Sequence, residues 1–255
     1  MFIDCHYHMS DPNAKKDRNE IKERFSRAAL KLEDCEVNEV NAIYWPSIVN
    51  ESCRGLGDEL KDAYKGRIKL NTGMHFFLES KNELWRNIDL EKESSLDFIK
   101  VYDLLFRKFD LVSIEFLDYY VKKGFNKFQT HSFKLSNSEL NKLEPYMKCG
   151  VKFYLAHGAS AFNESLKNRD INVERLRDFK GKLFLGTTHY RSLTLDVSYL
   201  KSALNNGLDD MLCFESDFNI LMFDKLDYNE YMDAVKKAIP IDKIEKIFYN
   251  NAKQF

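Results

Sequence analysis

Five times in this 255-residue chain an amphipathic, lysine-rich stretch ends at a glycine and a strand-like segment follows directly. The junctions are Lys65-Gly66-Arg67-Ile68-Lys69-Leu70, Lys123-Gly124-Phe125-Asn126, Cys149-Gly150-Val151-Lys152-Phe153, Lys180-Gly181-Lys182-Leu183-Phe184 and Asn206-Gly207-Leu208. Glycine takes the left-handed backbone that closes a helix, and cations in the last turn suit the negative end of its dipole. Each junction therefore reads as a helix C-terminus feeding a strand. Amphipathic faces mark the helices: Ile21, Phe25, Ala28 and Leu32 form one, and Leu96, Ile99, Tyr102, Phe106 and Phe109 another. Ser136 with Glu139 forms a capping box ahead of Leu140, Leu143 and Met147.

Eight short candidate strands result: Phe2–His8, Val40–Trp45, Ile68–His75, Leu111–Phe116, Asn126–His131, Val151–His157, Leu183–Thr188 and Met211–Asp217. Strand and helix alternating throughout imply parallel pairing with right-handed crossovers. Eight such units in about 250 residues predict a single (β/α)8 TIM barrel over residues 1–255, with its active site at the C-terminal mouth of the strands. A doubly wound open sheet is the alternative. The longest strand-to-strand connection runs from Phe76 to Asp110, and Leu78–Lys92 is its candidate lid.

Composition removes other classes. A chain carrying 20 Phe and 13 Tyr is not a disordered one. No unbroken apolar run exceeds four residues, against the roughly 20 of a membrane span. Asp4, His6 and His8 break up the first ten residues, so no signal peptide is expected. The five scattered cysteines form no CxxC pair and read as reduced thiols of a cytoplasmic protein. With 39 Lys and Arg against 40 Asp and Glu, the net charge of −1 weighs against a dedicated nucleic-acid binder. The oligomeric state is left open.

Only six histidines occur, His6, His8, His75, His131, His157 and His189, and each lies at or just past the C-terminal end of a candidate strand. His6 and His8 are two apart on a strand, so their side chains leave the same face about 6.6 Å apart at Cα. Imidazoles so placed, joined by a strand-end acid, suit Zn, Mn, Fe or Co. The acids are Glu115 on the expected fourth strand and Glu215-Ser216-Asp217 on the eighth. Glu115 also fits a helix surface through Ile114, Leu117 and Val121. His75 and His189 are expected as substrate contacts, and Arg191 as an anchor for an anionic group. Cys5 abuts His6, but neighbours on a strand point to opposite faces, so no Cys–His dyad is expected. Gly-rich phosphate loops, GxSxG elbows and Rossmann fingerprints are absent.

Ile3-Asp4-Cys5-His6-Tyr7-His8 resembles the opening strand of the amidohydrolase superfamily of metal-dependent barrels. Gly73-Met74-His75, Glu115 with Leu117-Asp118-Tyr119, Glu215-Ser216-Asp217 and the closing Asn251-Ala252-Lys253-Gln254-Phe255 resemble its TatD-type branch. Ala156-His157-Gly158-Ala159-Ser160 is closer to the amidohydrolase-2 pattern. The resemblance implies one or two divalent ions (Zn, Mn, Fe, Co or Mg). His6, His8 and Asp217 would hold one and His131 with His157 a second. Glu115 would bridge, since no lysine is expected at a fourth-strand end. It implies a metal-activated hydroxide with Asp217 as the catalytic proton carrier, and phosphodiester cleavage of nucleic acid or nucleotides. The alternative is an amidohydrolase-2-type enzyme acting on a small amide, lactone or carboxylic acid. A reading from another class is a non-catalytic barrel with a relict metal site. Substrates are thus a small molecule or a nucleic acid, with no membrane partner.

Overall fold

The computed structural model describes residues 2–8, 18–47, 49, 51–76, 78, 83–93, 95–101, 111–131, 135–189, 195–217 and 227–255. Eight parallel strands follow one another in chain order: β1 (Phe2–His8), β2 (Val37–Tyr44), β3 (Lys69–Phe76), β4 (Phe98–Val101), β5 (Lys127–His131), β6 (Lys152–Ala156), β7 (Leu183–Gly186) and β8 (Leu212–Cys213). Two bonds bring the last strand back to the first: the Cys5 N–H donates to the Phe214 carbonyl and the Asp217 N–H to the His6 carbonyl, each at 3.0 Å. The sheet thus forms a (β/α)8 barrel, as expected.

The helices are α1 (Arg18–Asp34), α2 (Leu56–Ala63), α3 (Leu111–Lys122), α4 (Asn137–Lys148), α5 (Gly158–Lys167), α6 (Val173–Arg177), α7 (Leu200–Asn205) and α8 (Tyr228–Ala238). The five junction glycines have φ between 67° and 95°, the left-handed turn that lets each helix return to the next strand. The Ser136–Glu139 capping box opens α4 with both of its reciprocal hydrogen bonds. Among the described residues no helix is long and apolar enough to cross a membrane.

Two apolar layers result. The larger lies between strands and helices. The smaller fills the barrel interior with Ile3, Cys5, Ile43, Phe98, Tyr154, Phe184 and Cys213, closed from below by Ala252 and Phe255. On β1 the pairing advances from Asp4 to Tyr7 while β2 advances only from Val40 to Ala42. This bulge lets Cys5 join the interior while Tyr7 packs outward on Phe25, and it re-aims His6 and His8 at the mouth.

The fourth strand departs from expectation. Leu111–Phe116 is the first half of α3, and the strand is Phe98–Val101, inside the stretch read as a helical face. Ile99 and Val101 face the outer layer, whereas Phe98 faces the interior. Gly73 of β3 makes room for that ring, since a Cβ there would lie 2.1 Å from it. Of the lid candidate, Trp85 is buried against Phe116 and Tyr119 of α3 at 5.3 and 5.5 Å. Residues 79–82 of that segment, and Tyr102, Phe106 and Phe109, lie outside the described residues.

Candidate metal centre at the barrel mouth

Five of the sequence-selected side chains converge where β1, β5, β6 and β8 end. His6 Nε2 lies 2.9 Å from His8 Nε2, and Asp217 Oδ1 lies 3.8 and 3.6 Å from those two nitrogens. The His131 and His157 rings stack at 5.0 Å, and the His6 ring centre is 5.3 and 5.7 Å from them. His157 Nε2 is 3.8 Å from Asp217 Oδ2.

Two sets of donors, His6 with His8 and Asp217, and His6 with His131 and His157, each gather within 4.8 Å. Ligands held about 2.1 Å from one tetrahedral ion stand about 3 to 3.5 Å apart, close to the spacing of the first set. Asp217 Oδ1 is also a buried oxygen with no hydrogen-bond partner among the described residues. Buried acceptors are ordinarily satisfied, and a cation would satisfy this one. Electrostatics agree. Burial pulls His8 and His157 down to about 3, and His6 and His131 well below the usual imidazole value, so at neutral pH all four keep a lone pair to give. Residues and geometry therefore fit a divalent ion.

The backbone is bent to reach this arrangement. His157 and Asp217 hold φ of 62° and 49°, unusual for residues with a side chain and typical of strained functional positions. Asp4 braces the same end. Its carboxylate accepts from the His6 and Ser216 amides at 3.2 and 3.0 Å, from the Ser216 hydroxyl, and from the Tyr228 hydroxyl at 3.1 Å. Burial pushes it up to about 6.

Two residues to which the sequence assigns no role of their own stand at this cluster. Lys100, fully buried on β4, has Nζ 3.0 Å from His6 Nε2. Burial draws its ammonium well below the ordinary lysine range. The expectation that no lysine ends the fourth strand is thereby corrected. It followed from misplacing the strand, and only the inward alternation of Phe98 and Lys100 signals the residue. Glu215, singled out only as part of the eighth-strand acidic stretch, lies beneath the histidines. It accepts from the Tyr154 hydroxyl at 2.9 Å, and its Oε2 lies 3.3 Å from His6 Nδ1. A Cβ on Gly186 would fall 2.1 Å from its carboxyl carbon.

Glu115 does not join the centre. It sits on α3 with its side chain 42% exposed and pairs with Arg86. An acid on the outer face of a helix cannot reach the mouth, so its bridging role is withdrawn. His75 is at the mouth, stacked on Trp45 at 4.5 Å and 5.6 Å from the His8 ring. His189 is half-buried, 5.4 Å from the Tyr199 ring and near enough to His157 for their charges to interact. Arg191 lies outside the described residues. Cys5 is fully buried, and burial and its contact with Cys213 hold its thiol far above the usual range, which disfavours a nucleophile.

No protein-family model and no curated protein matches the sequence. Solved structures do. A protein described as a probable 2-pyrone-4,6-dicarboxylic acid hydrolase from Acinetobacter baumannii, crystallised with citric acid, superposes with a TM-score of 0.60 at 13% identity, over 99% of this chain and 98% of that one. An amidohydrolase 2 from Bifidobacterium longum subsp. infantis gives 0.55 at 14% identity, covering 99% and 97%. A 5-methylcytosine deaminase from Klebsiella pneumoniae gives 0.64 at 12% identity, covering 94% of this chain and 64% of the longer enzyme. At these identities the likeness is one of fold: the chain shares its barrel with these proteins over almost its whole length.

Proposed function

We propose that this protein is a metal-dependent hydrolase of the amidohydrolase superfamily, of the amidohydrolase-2 kind, acting on a small molecule with an amide, lactone or carboxylic acid group. The observation that carries this reading is the convergence of His6, His8, His131, His157 and Asp217 on one barrel mouth with donor atoms in metal-binding range. The similar barrels are described as a pyrone dicarboxylic acid hydrolase, an amidohydrolase and a cytosine-type deaminase, all consistent with it. The phosphodiester reading rests on the paired ligand sets, Gly73-Met74-His75 and a fourth-strand acid, and the last of these fails because Glu115 lies on α3.

A bound divalent ion would bring a water's pKa near neutrality and polarise the group under attack. His6, His8 and Asp217 would hold it, with His131 and His157 completing the site or holding a second. Asp217 is the proton carrier. Burial and the charge of Glu215 raise its carboxyl well above the usual range, so it can take a proton from water and release it to a leaving group. Lys100 replaces Glu115 as the fourth-strand candidate. A buried lysine is readily neutral, and a neutral amine that added CO2 and released one proton to water would become an anionic carbamate able to serve as a ligand. The His75–Trp45 stack offers a flat wall for substrate. His189 and Arg191, as further substrate contacts, belong to the same proposal. The free cysteines suit a reducing, cytoplasmic setting.

The test is a panel of lactones, small amides, amino-heterocycles, a generic phosphodiester and single-stranded DNA, offered to Zn- and Mn-loaded protein. Turnover of a carbonyl or amino-heterocycle substrate, lost in Asp217→Asn, is the expected result. Cleavage confined to phosphodiesters would overturn it in favour of a TatD-like nuclease, and a metal-loaded protein inert on the whole panel would favour a non-catalytic barrel.

A further inference from the structure

We infer that Glu215 is a positioning residue that fixes the tautomers of two candidate metal ligands at once, His6 by direct contact and His157 through the hydroxyl of Thr188. This rests on the metal-site reading above.

Glu215 Oε1 accepts from the His157 backbone N–H at 2.7 Å and the Thr188 backbone N–H at 3.1 Å. Amide N–H groups only donate, so this oxygen carries no proton. The Thr188 hydroxyl, in close contact with the same oxygen, must then donate to it. Thr188 Oγ1 also lies 2.7 Å from His157 Nδ1. With its single proton on Glu215, it can only accept, so Nδ1 of His157 is the protonated nitrogen. His157 Nε2 is left with its lone pair, on the side where Asp217 Oδ2 stands 3.8 Å away.

The other carboxylate oxygen treats His6 in the same way. Oε2 accepts from the Tyr154 hydroxyl and faces His6 Nδ1 at 3.3 Å, so with the carboxylate ionised that nitrogen donates. The Lys100 amine, 3.0 Å from His6 Nε2, is compatible with this tautomer, in which Nε2 accepts from it. One carboxylate, seated in the space that Gly186 leaves, thus turns two imidazoles, from β1 and from the end of β6, so that both lone pairs face the mouth. Carboxylates behind metal-binding imidazoles act this way, and losing them costs 10- to 100-fold in metal affinity.

Two variants separate the two arms. In Thr188→Val the relay to His157 is cut while His6 keeps its partner. In Glu215→Gln the amide oxygen stays with the two backbone donors, so its NH2 faces His6 Nδ1 and forces the proton of His6 onto Nε2. Long-range proton–nitrogen NMR of the metal-free protein reads each tautomer directly, and competition with a chromophoric chelator reads Zn2+ affinity. Expected are Nδ1-protonated His6 and His157 in the wild type, a switch of His6 in Glu215→Gln, and release of His157 alone in Thr188→Val. Zn2+ affinity should fall about 10- to 100-fold in Thr188→Val and recover in Thr188→Ser. An Nε2 proton on either wild-type ring, or a Thr188→Val protein with unchanged tautomer and affinity, would overturn the inference. Wild-type tautomers as described in a protein that takes up no Zn2+ would sink the metal reading and leave this assignment supported.

Discussion

Gly186→Ala is a one-methyl change expected to unsettle the centre from below. The added Cβ would lie 2.1 to 2.3 Å from the Glu215 carboxyl carbon and both oxygens, well inside contact distance. Its φ is not among the positive ones, so alanine fits the backbone and the clash alone drives the effect. The carboxylate must move, and the amides of His157 and Thr188 lose their acceptor in a dry interior. A buried donor left unsatisfied costs about 1–3 kcal/mol, so the pair predicts a loss of about 4 kcal/mol. For a domain of this size that lowers Tm by roughly 10 °C. Urea unfolding of Gly186→Ala, Glu215→Ala and the double variant measures it. With the carboxylate gone, the same methyl should be neutral or add about 0.5 kcal/mol by stiffening the unfolded chain. The cycle should therefore show a coupling of about 4 kcal/mol. Equal cost of Gly186→Ala in both backgrounds, within about 0.5 kcal/mol, would refute the reasoning.

Other perturbations test other parts. His8→Ala and Asp217→Asn should each remove most metal affinity and turnover while circular dichroism stays unchanged; full turnover by Asp217→Asn would end its role as proton carrier. Glu115→Ala should leave metal content untouched and change stability by no more than about 1 kcal/mol, because it breaks only an exposed pair with Arg86; loss of the ion by that variant would restore it as a ligand. Metal-free protein should lose stability as pH falls below about 6.5. The unfolded histidines take up protons there, whereas native His8 and His157 do so only near 3, a penalty of about 2 kcal/mol each at pH 5. Asp4 and Asp217, pushed up to about 6 and about 8 by burial, have the opposite sign and restore about 1 and about 3 kcal/mol over that range. His6 and His131, also held well below the usual imidazole value, add to the histidine penalty and keep the net sign. Thermal melts at pH 7 and 5 check this, and a higher Tm at pH 5 would contradict it.

Most of the barrel was legible because glycine junctions and apolar runs mark it independently of any site. All five junctions return a helix to a strand, and seven of the eight expected strands overlap observed ones. The fourth failed for a physical reason. A strand buried on both faces has no two-residue alternation to read, and Phe98–Val101 is only four residues long, with a lysine inside. Leu96, Ile99 and Tyr102 happen to fall at helical spacing, whereas the β-branched start of α3 imitates a strand. Misplacing that one element hid Lys100 and promoted Glu115. The histidines were legible because strand ends converge whatever the register. Thr188 was not, since a hydroxyl at a strand end carries no signal until its neighbours are known. The bulge at Asp4–Tyr7 likewise could not be read, so alternation alone put Cys5 and His6 on opposite faces.

The proposed chemistry depends on a divalent cation at the mouth of this barrel. Anomalous diffraction from crystals loaded with Zn2+ tests it most directly. A peak bounded by His6 Nε2, His8 Nε2 and Asp217 Oδ1 is the predicted result. Loaded crystals with no peak among those atoms, or with peaks only at surface carboxylates, would contradict it.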